Sequence, residues 1–147
     1  MKVTITGAAG FIGQKLARAL LDGRPLIGAD RASQTVSQLI LADVVAPPPG
    51  LTNDDRVTVV TGDIAEPDFL AAILPADVAS VFHMAAVVSA GAEADFDLGM
   101  AVNLTATQRM LEILRQHGTG PKLVFASSCA VYGGDMAEIL DDRHQVT

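Results

Sequence analysis

The apolar positions of this chain fall into short runs separated by glycine, proline or charge. Val3-Thr4-Ile5-Thr6 alternates like a strand and stops at Gly7-Ala8-Ala9-Gly10-Phe11-Ile12-Gly13. Phe11, Ile12, Leu16, Ala19 and Leu20 then recur at helical spacing, with Lys15 and Arg18 between them, so a helix is expected from Phe11 to Leu21. Asp22-Gly23-Arg24-Pro25 ends it. Arg56-Val57-Thr58-Val59-Val60-Thr61 is β-branched throughout and reads as a strand. A short helix is expected from Pro67 to Leu74, with proline in its first turn. Asp77 to His83 reads as the next strand. A long helix is expected from Asp95 to His117, its buried face drawn from Phe96, Met100, Val102, Leu104, Met110, Leu111, Ile113 and Leu114. Lys122 to Ala126 forms the last strand, and the tail from Asp135 to Thr147 is polar without a strong pattern. The order β-α-β-β-α-β-α-β predicts an α/β doubly wound parallel sheet.

One segment reads two ways. Leu26-Ile27-Gly28-Ala29-Asp30 and Ser37-Gln38-Leu39-Ile40-Leu41-Ala42-Asp43 each form a candidate second strand ending in an acid. The second is the more continuous apolar run, as a strand buried on both faces requires. Over so short a run a helix reads equally well. Pro47-Pro48-Pro49-Gly50 after it is expected to be a loop.

The chemistry starts at the glycine turn. A strand, Gly-x-x-Gly-x-x-Gly and a helix bring backbone amides and a helix N-terminus together, which suits the pyrophosphate of a dinucleotide. A carboxylate at the tip of the second strand binds adenosine ribose hydroxyls. The usual spacing of about 20 residues favours Asp30, and the strand pattern favours Asp43. Asp63 is placed either to accept from an adenine amino group or to hold the turn before Glu66-Pro67. The small residues Ala85 and Ala86 let a planar ring lie against backbone, or simply pack tightly. His83 reads as a structural, hydrogen-bonded residue, since no cluster with metal-ligand spacing accompanies it. Asn103 is a poor residue for a helix interior, which suggests a specific hydrogen bond.

Composition narrows the classes. The chain has 147 residues, 50% of them hydrophobic, with mean hydropathy +0.36, enough for one domain with a core. A net charge of -7 argues against a nucleic-acid partner. No apolar run is long enough to span a bilayer, and the first strand leaves no room for a signal peptide. One cysteine, Cys129, excludes an intrachain disulfide and fits a reducing cytoplasm. Internal repeats and interdomain linkers are lacking.

Gly7-x-x-Gly10-Phe11-Ile12-Gly13, Gly62-Asp63-Ile64, His83-Met84-Ala85-Ala86, Asn103 and Ser127-Ser128-Cys129-Ala130-Val131-Tyr132-Gly133 stand in the order seen in extended short-chain dehydrogenase/reductases, and the chain resembles that NAD-dependent epimerase/dehydratase family over nearly its whole length. Leu39-x-Leu41-x-Asp43-Val44-Val45-Ala46-Pro47, Val87-Val88-Ser89, Asp97-Leu98-Gly99 and Val131-Tyr132-Gly133-Gly134 are similar to the D-erythronate dehydrogenase branch, which oxidises a small sugar acid at its 2-hydroxyl with NAD. The resemblance implies a Rossmann fold and a cofactor held by Gly7, Gly10, Phe11, Ile12, Gly13, Asp43, Asp63, Ile64, Ala85, Ala86, Val88, Asn103 and Ser127. It places Asp43 rather than Asp30 at the strand tip, where an acid implies NAD over NADP. It gives Ser128 a catalytic hydrogen bond to the reacting hydroxyl, and Tyr132 a packing role.

The family's acid/base pair, Tyr-x-x-x-Lys, does not occur here. Tyr132 is the one tyrosine, the residue four on is Met136, and the lysines are Lys2, Lys15 and Lys122. The resemblance therefore implies the N-terminal half of an enzyme, truncated after the fifth strand. Residues 1–147 would be an incomplete NAD-binding domain of a homodimeric parent, the substrate lobe absent. Such a half is expected to leave an apolar patch exposed on the helix from Asp95 to His117. A nucleotide-sugar epimerase or dehydratase, and a non-catalytic dinucleotide-binding module, remain as alternatives.

Overall fold

The computed structural model describes residues 1–133 and 140–144; Gly134, Met136 and most of the polar tail lie outside the described residues. Five parallel strands form the main sheet. They are β1 (Lys2–Thr6), β4 (Gln38–Asp43), β5 (Val57–Thr61), β6 (Ser80–His83) and β7 (Lys122–Phe125). The spatial order is β5-β4-β1-β6-β7, so β1 is central and is paired with β4 and β6. Chain direction reverses its progress across the sheet at β1, the switch point where open α/β sheets form their crevice. This is a Rossmann-type sheet, as the apolar pattern predicts.

The two faces of β4 show why its run is continuous. Leu39 and Leu41 join Val3, Ile5, Ala17, Leu20 and Leu51 on the side of α1 (Phe11–Leu21) and α2 (Pro49–Thr52). Ile40 and Ala42 join Leu70, Ile73, Val81, Met110 and Leu114 on the side of α3 (Pro67–Ile73) and α6 (Ala106–His117). A strand packed on both faces has no polar face to alternate with. On β1 the second face carries threonines, both fully buried. Thr4 Oγ1 donates to Ile73 O at 2.7 Å, and Thr6 bonds His83, so neither hydroxyl is left unpaired.

Four expectations are revised. Leu26–Ile27 (β2) is a strand, but it pairs antiparallel with Ser33–Gln34 (β3) in a separate hairpin. Asp30 closes that hairpin's turn, accepting from Ala32 N at 2.9 Å and Gln34 Nε2 at 3.2 Å. The proline loop turns into helix at Pro49, where the fixed φ of proline suits a first helical position. Phe11 and Ile12 begin α1 but are 77% and 60% exposed, so the helix buries Gly13, Ala17 and Leu20 instead. The long helix is not α-helical throughout. A separate short helix, α4 (Ser89–Ala94), precedes it. It starts where expected, with the Asp95 side chain accepting from Leu98 N at 2.9 Å and capping α5 (Phe96–Gly99). It then runs through a π-helical segment Met100–Thr105 into α6. Gly118, at φ +67°, closes α6 in the left-handed conformation.

Of the positions the pattern assigns to the buried face of this helical run, Phe96, Met100, Leu104 and Leu111 lie exposed, with Leu98 beside them, and they form the apolar patch expected on a half-length chain. α6 therefore has a buried stripe and a bare one. Met110 is fully buried and Leu111 is 49% exposed. Met110→Ala is expected to cost about 2–5 kcal/mol and Leu111→Ala under about 0.5 kcal/mol, read as the shift in urea midpoint of the two variants. Equal losses would mean that α6 packs differently.

Candidate functional site

The C-terminal ends of the parallel strands converge on a cleft of about 400 Å³, a size typical of small-molecule sites. Its lining comes from four strand ends and the helical run. Gly7 and Gly10 follow β1; Asp43 and Val44 follow β4; Gly62, Asp63 and Ile64 follow β5; Met84 to Val87 follow β6; Leu98 and Val102 come from the helical run. The walls are mainly apolar and backbone, with two carboxylates.

The glycine turn is built by close approach. Gly7 sits at φ +67°, and a Cβ there would lie 2.7 Å from Ala85 N and Met84 C. A Cβ on Gly13 would meet the Gly7 carbonyl and come within 2.8 Å of Ala8 Cα. Glycine is thus required at both for the turn to fold against α1 and against the segment after β6. Gly10 N donates to Gly7 O at 3.1 Å, and Gln14 N to Gly10 O at 3.0 Å. The amides between them, in the first turn of α1, have no intrahelical acceptor. α1 has neither a side-chain cap nor an acid in its first turn, so its N-terminus keeps its positive potential.

Asp43 links β4 to this turn. Its Oδ2 accepts from Ala9 N at 2.9 Å, and its Oδ1 from Val45 N at 3.4 Å. Asp63 Oδ1 accepts from Ala65 N at 2.8 Å, so this acid holds the turn after β5 while lining the cleft. Asn103 has the specific bond its helix position suggests. Its amide is bidentate to Val87, Oδ1 accepting from Val87 N and Nδ2 donating to Val87 O, both at 2.9 Å. It lies in the π-helical segment, a geometry that often marks functional sites.

The structure brings together Gly7, Gly10, Asp43, Asp63, Ile64, Ala85 and Ala86 on the cleft. Gly13 lies behind the turn. Phe11 and Ile12 point outward, Phe11 lying beneath Lys15 Nζ at 4.9 Å from the ring centroid. Val88 is exposed at the start of α4. Ser127 and Ser128 follow β7 at the same end of the sheet, outside the cleft lining. Ser128 Oγ accepts from Ala130 N at 3.2 Å and caps a 3₁₀ turn, Cys129–Tyr132. Val44, Gly62, Met84, Val87, Leu98 and Val102 also line the cleft and are not among the expected site residues. All but Val102 lie inside the quoted motifs, and Leu98 and Val102 become cleft residues only because the helical run packs against the strand ends.

A dinucleotide is a reasonable test of these residues. Unpaired first-turn amides offer donors to an anion, Asp43 offers an acceptor at the strand tip, and the apolar walls suit a flat ring. The residues present fit the group. Among the described residues no cluster of three or more His, Cys, Asp or Glu could hold a metal ion, and no helix is long and apolar enough to cross a membrane.

The sequence profile of the NAD dependent epimerase/dehydratase family matches residues 3–146. The D-erythronate dehydrogenase of Cupriavidus necator is 50% identical over 142 residues, which cover 97% of this chain and 43% of that protein. The D-erythronate dehydrogenase of Haemophilus influenzae is 38% identical over 147 residues, covering 100% of this chain and 44% of that protein. A crystal structure of a dTDP-glucose 4,6-dehydratase double mutant from Streptomyces venezuelae, with NAD bound, superposes with a TM-score of 0.80 at 27% identity. That match covers 100% of this chain and 45% of the other. The chain thus spans under half the length of these relatives.

Replacing Asn103 by alanine removes both bonds to Val87. The expected cost is about 1–2 kcal/mol, with faster hydrogen exchange at the Val87 amide and unchanged exchange in β4. Unchanged exchange at Val87 would show that the clamp does not hold this segment.

Proposed function

We propose a function for this chain from one premise: it belongs to the NAD-dependent epimerase/dehydratase family. The chain is the cofactor-binding half of a dehydrogenase that moves hydride from a small sugar acid, a D-erythronate-like 2-hydroxy acid, to NAD. The observation that carries this reading is Asp43, an acid at the tip of β4 bonded directly to the glycine turn at Ala9 N. The 50% identity with a D-erythronate dehydrogenase supports the choice of substrate class.

NAD, when bound, supplies the nicotinamide that accepts the hydride. The protein's residues bind and orient. The first-turn amides of α1, with Gly7, Gly10, Phe11, Ile12 and Gly13 forming the turn, hold the pyrophosphate. Asp43 accepts from the adenosine ribose hydroxyls and repels a 2′-phosphate, which selects NAD over NADP. Asp63 and Ile64 border the adenine. Ala85 and Ala86 keep the wall low, while Val88 and Asn103 fix the backbone that follows. Ser127 borders the nicotinamide, and Ser128 orients the reacting hydroxyl. A proton must also leave that hydroxyl. Without Tyr-x-x-x-Lys, residues 1–147 orient the alcohol but do not accept its proton, so by themselves they bind without turnover.

The parent enzyme is a homodimer, a reading supported by the bare apolar stripe along α5 and α6. The exposed thiol of Cys129 fits a reducing cytoplasm. The fold shared with a dTDP-glucose 4,6-dehydratase favours a second reading, a nucleotide-sugar epimerase or dehydratase with the same cofactor cleft. A non-catalytic binding module would share the cleft and act on neither substrate.

Calorimetric titration tests the cofactor assignment. NAD is expected to bind and NADP to bind at least about tenfold more weakly. Asp43→Asn is expected to weaken NAD roughly 10- to 100-fold, the worth of charge-assisted hydrogen bonds, and to narrow the gap to NADP. Equal affinity for the two cofactors would overturn the role given to Asp43. Four-carbon sugar acids assayed with the whole parent protein, against nucleotide sugars, separate the two enzyme readings.

A further inference from the structure

His83 is 1% exposed and lies at the end of β6, directly below the cleft wall. Its two ring nitrogens face two hydroxyls. Nδ1 is 2.7 Å from Thr6 Oγ1, and Nε2 is 3.1 Å from Thr107 Oγ1. Thr6 Oγ1 also accepts from Ala85 N at 3.3 Å, and Thr107 Oγ1 donates to Asn103 O at 2.9 Å. Each threonine has one hydroxyl hydrogen, and Asn103 O only accepts. Thr107 therefore spends its hydrogen on Asn103 and accepts from His83 Nε2–H. Nδ1 is then bare, and it accepts from the Thr6 hydroxyl. Every hydrogen finds a partner in one direction: Ala85 N–H to Thr6, Thr6 to His83, His83 to Thr107, Thr107 to Asn103. With the hydrogen on Nδ1 instead, Thr6 would accept twice and its own hydrogen would have no acceptor among the described residues.

We propose that His83 is a positioning residue for the cleft, held as the neutral Nε2–H tautomer so that one directed hydrogen-bond chain ties the wall at Ala85 to the π-helical segment at Asn103. Asn103 in turn clamps Val87, so the chain fixes the wall segment at both ends. A function in cofactor binding rests on the reading of the cleft as an NAD site; the positioning itself does not.

The arrangement makes the cleft sensitive to acid. The groups set against the ring from β1, β7 and α6 are Thr6, Phe125 and Thr107, none of which carries a charge. Burial pushes the imidazole below its ordinary value. Between the folded value and the unfolded value of about 6.5, the unfolded chain binds more protons. The order of the cleft is thus complete above that range and is lost as pH falls through the folded value. A proton on Nδ1 would also turn the Thr6 hydroxyl away and break the chain's direction.

Long-range proton–nitrogen NMR on the nitrogen-15-labelled 147-residue chain reads the tautomer. The expected result is a protonated Nε2 and a bare Nδ1 at pH 7.5, with the ring titrating below the ordinary histidine value. Exchange at the Ala85 and Val87 amides is expected to accelerate only as the ring titrates. Thr107→Val, which cannot accept from Nε2–H, should speed Val87 exchange by about tenfold, while Thr107→Ser restores it. A hydrogen on Nδ1, titration at the ordinary value, or equal exchange in the two variants would overturn the proposal. NAD titration of the same samples keeps the two readings apart. If the wild-type chain binds no NAD, the cofactor assignment fails and the NMR still decides the fate of His83. If wild type and Thr107→Val bind NAD equally at every pH, His83 has no positioning function for the cofactor.

Discussion

The end of β1 is enclosed on every side, and the cleft follows from how that enclosure is satisfied. β1 is paired on both edges and packed on both faces, so Thr4 and Thr6 are removed from water entirely. A buried hydroxyl without a partner would cost about 1–3 kcal/mol. Thr6 meets that demand with His83 on the next strand, and the bond holds β1 and β6 at the level where both chains leave the sheet. One residue further, Gly7 lies so close to Met84 and Ala85 that no side chain would fit. The glycine turn and the wall after β6 are therefore one packed unit. A second bond, from Ala9 N to Asp43, adds the tip of β4. The ends of three strands are locked together before any ligand is considered.

What the cleft offers is mostly backbone. The unpaired amides at the start of α1 and the low wall at Ala85 and Ala86 are features of chain path, and side chains contribute only two acids. Such a site suits a ligand with an anionic centre and flat apolar ends. Among the described residues His83 is the one imidazole near the cleft, and both its nitrogens are already engaged in holding the fold. The role proposed for these residues is therefore binding rather than proton transfer.

Much of this was legible in the sequence because it was local. The glycine spacing, the β-branched run at Val57–Thr61 and the continuous apolar run at Leu39–Leu41 each carry their meaning within a few residues. Asp43 was preferred to Asp30 on strand continuity, and the hairpin that absorbs Asp30 explains why counting residues from the glycines misleads. That hairpin was not anticipated, since two-residue strands are too short for a period to show. The apolar pattern carries the start of the long helix at Asp95 but not the π-helical segment Met100–Thr105 inside it. Asn103 was marked by its poor helix propensity, but its partner Val87 was not. The Thr6–His83–Thr107 chain was invisible for a plainer reason. Its bonds join residues 77 and 24 positions apart, and only the sheet order brings them together.

The cleft at the end of β1 is the site proposed to bind a dinucleotide, and amide chemical-shift mapping of the labelled chain during NAD addition tests that most directly. The predicted result is a set of large, saturable shifts at the amides of Gly10 to Gly13, Val44, Ile64 and Ala85 to Val87, with β7 and the hairpin Leu26–Gln34 little affected. No saturable shift, or shifts gathered on the exposed face of α5 and α6, would contradict it.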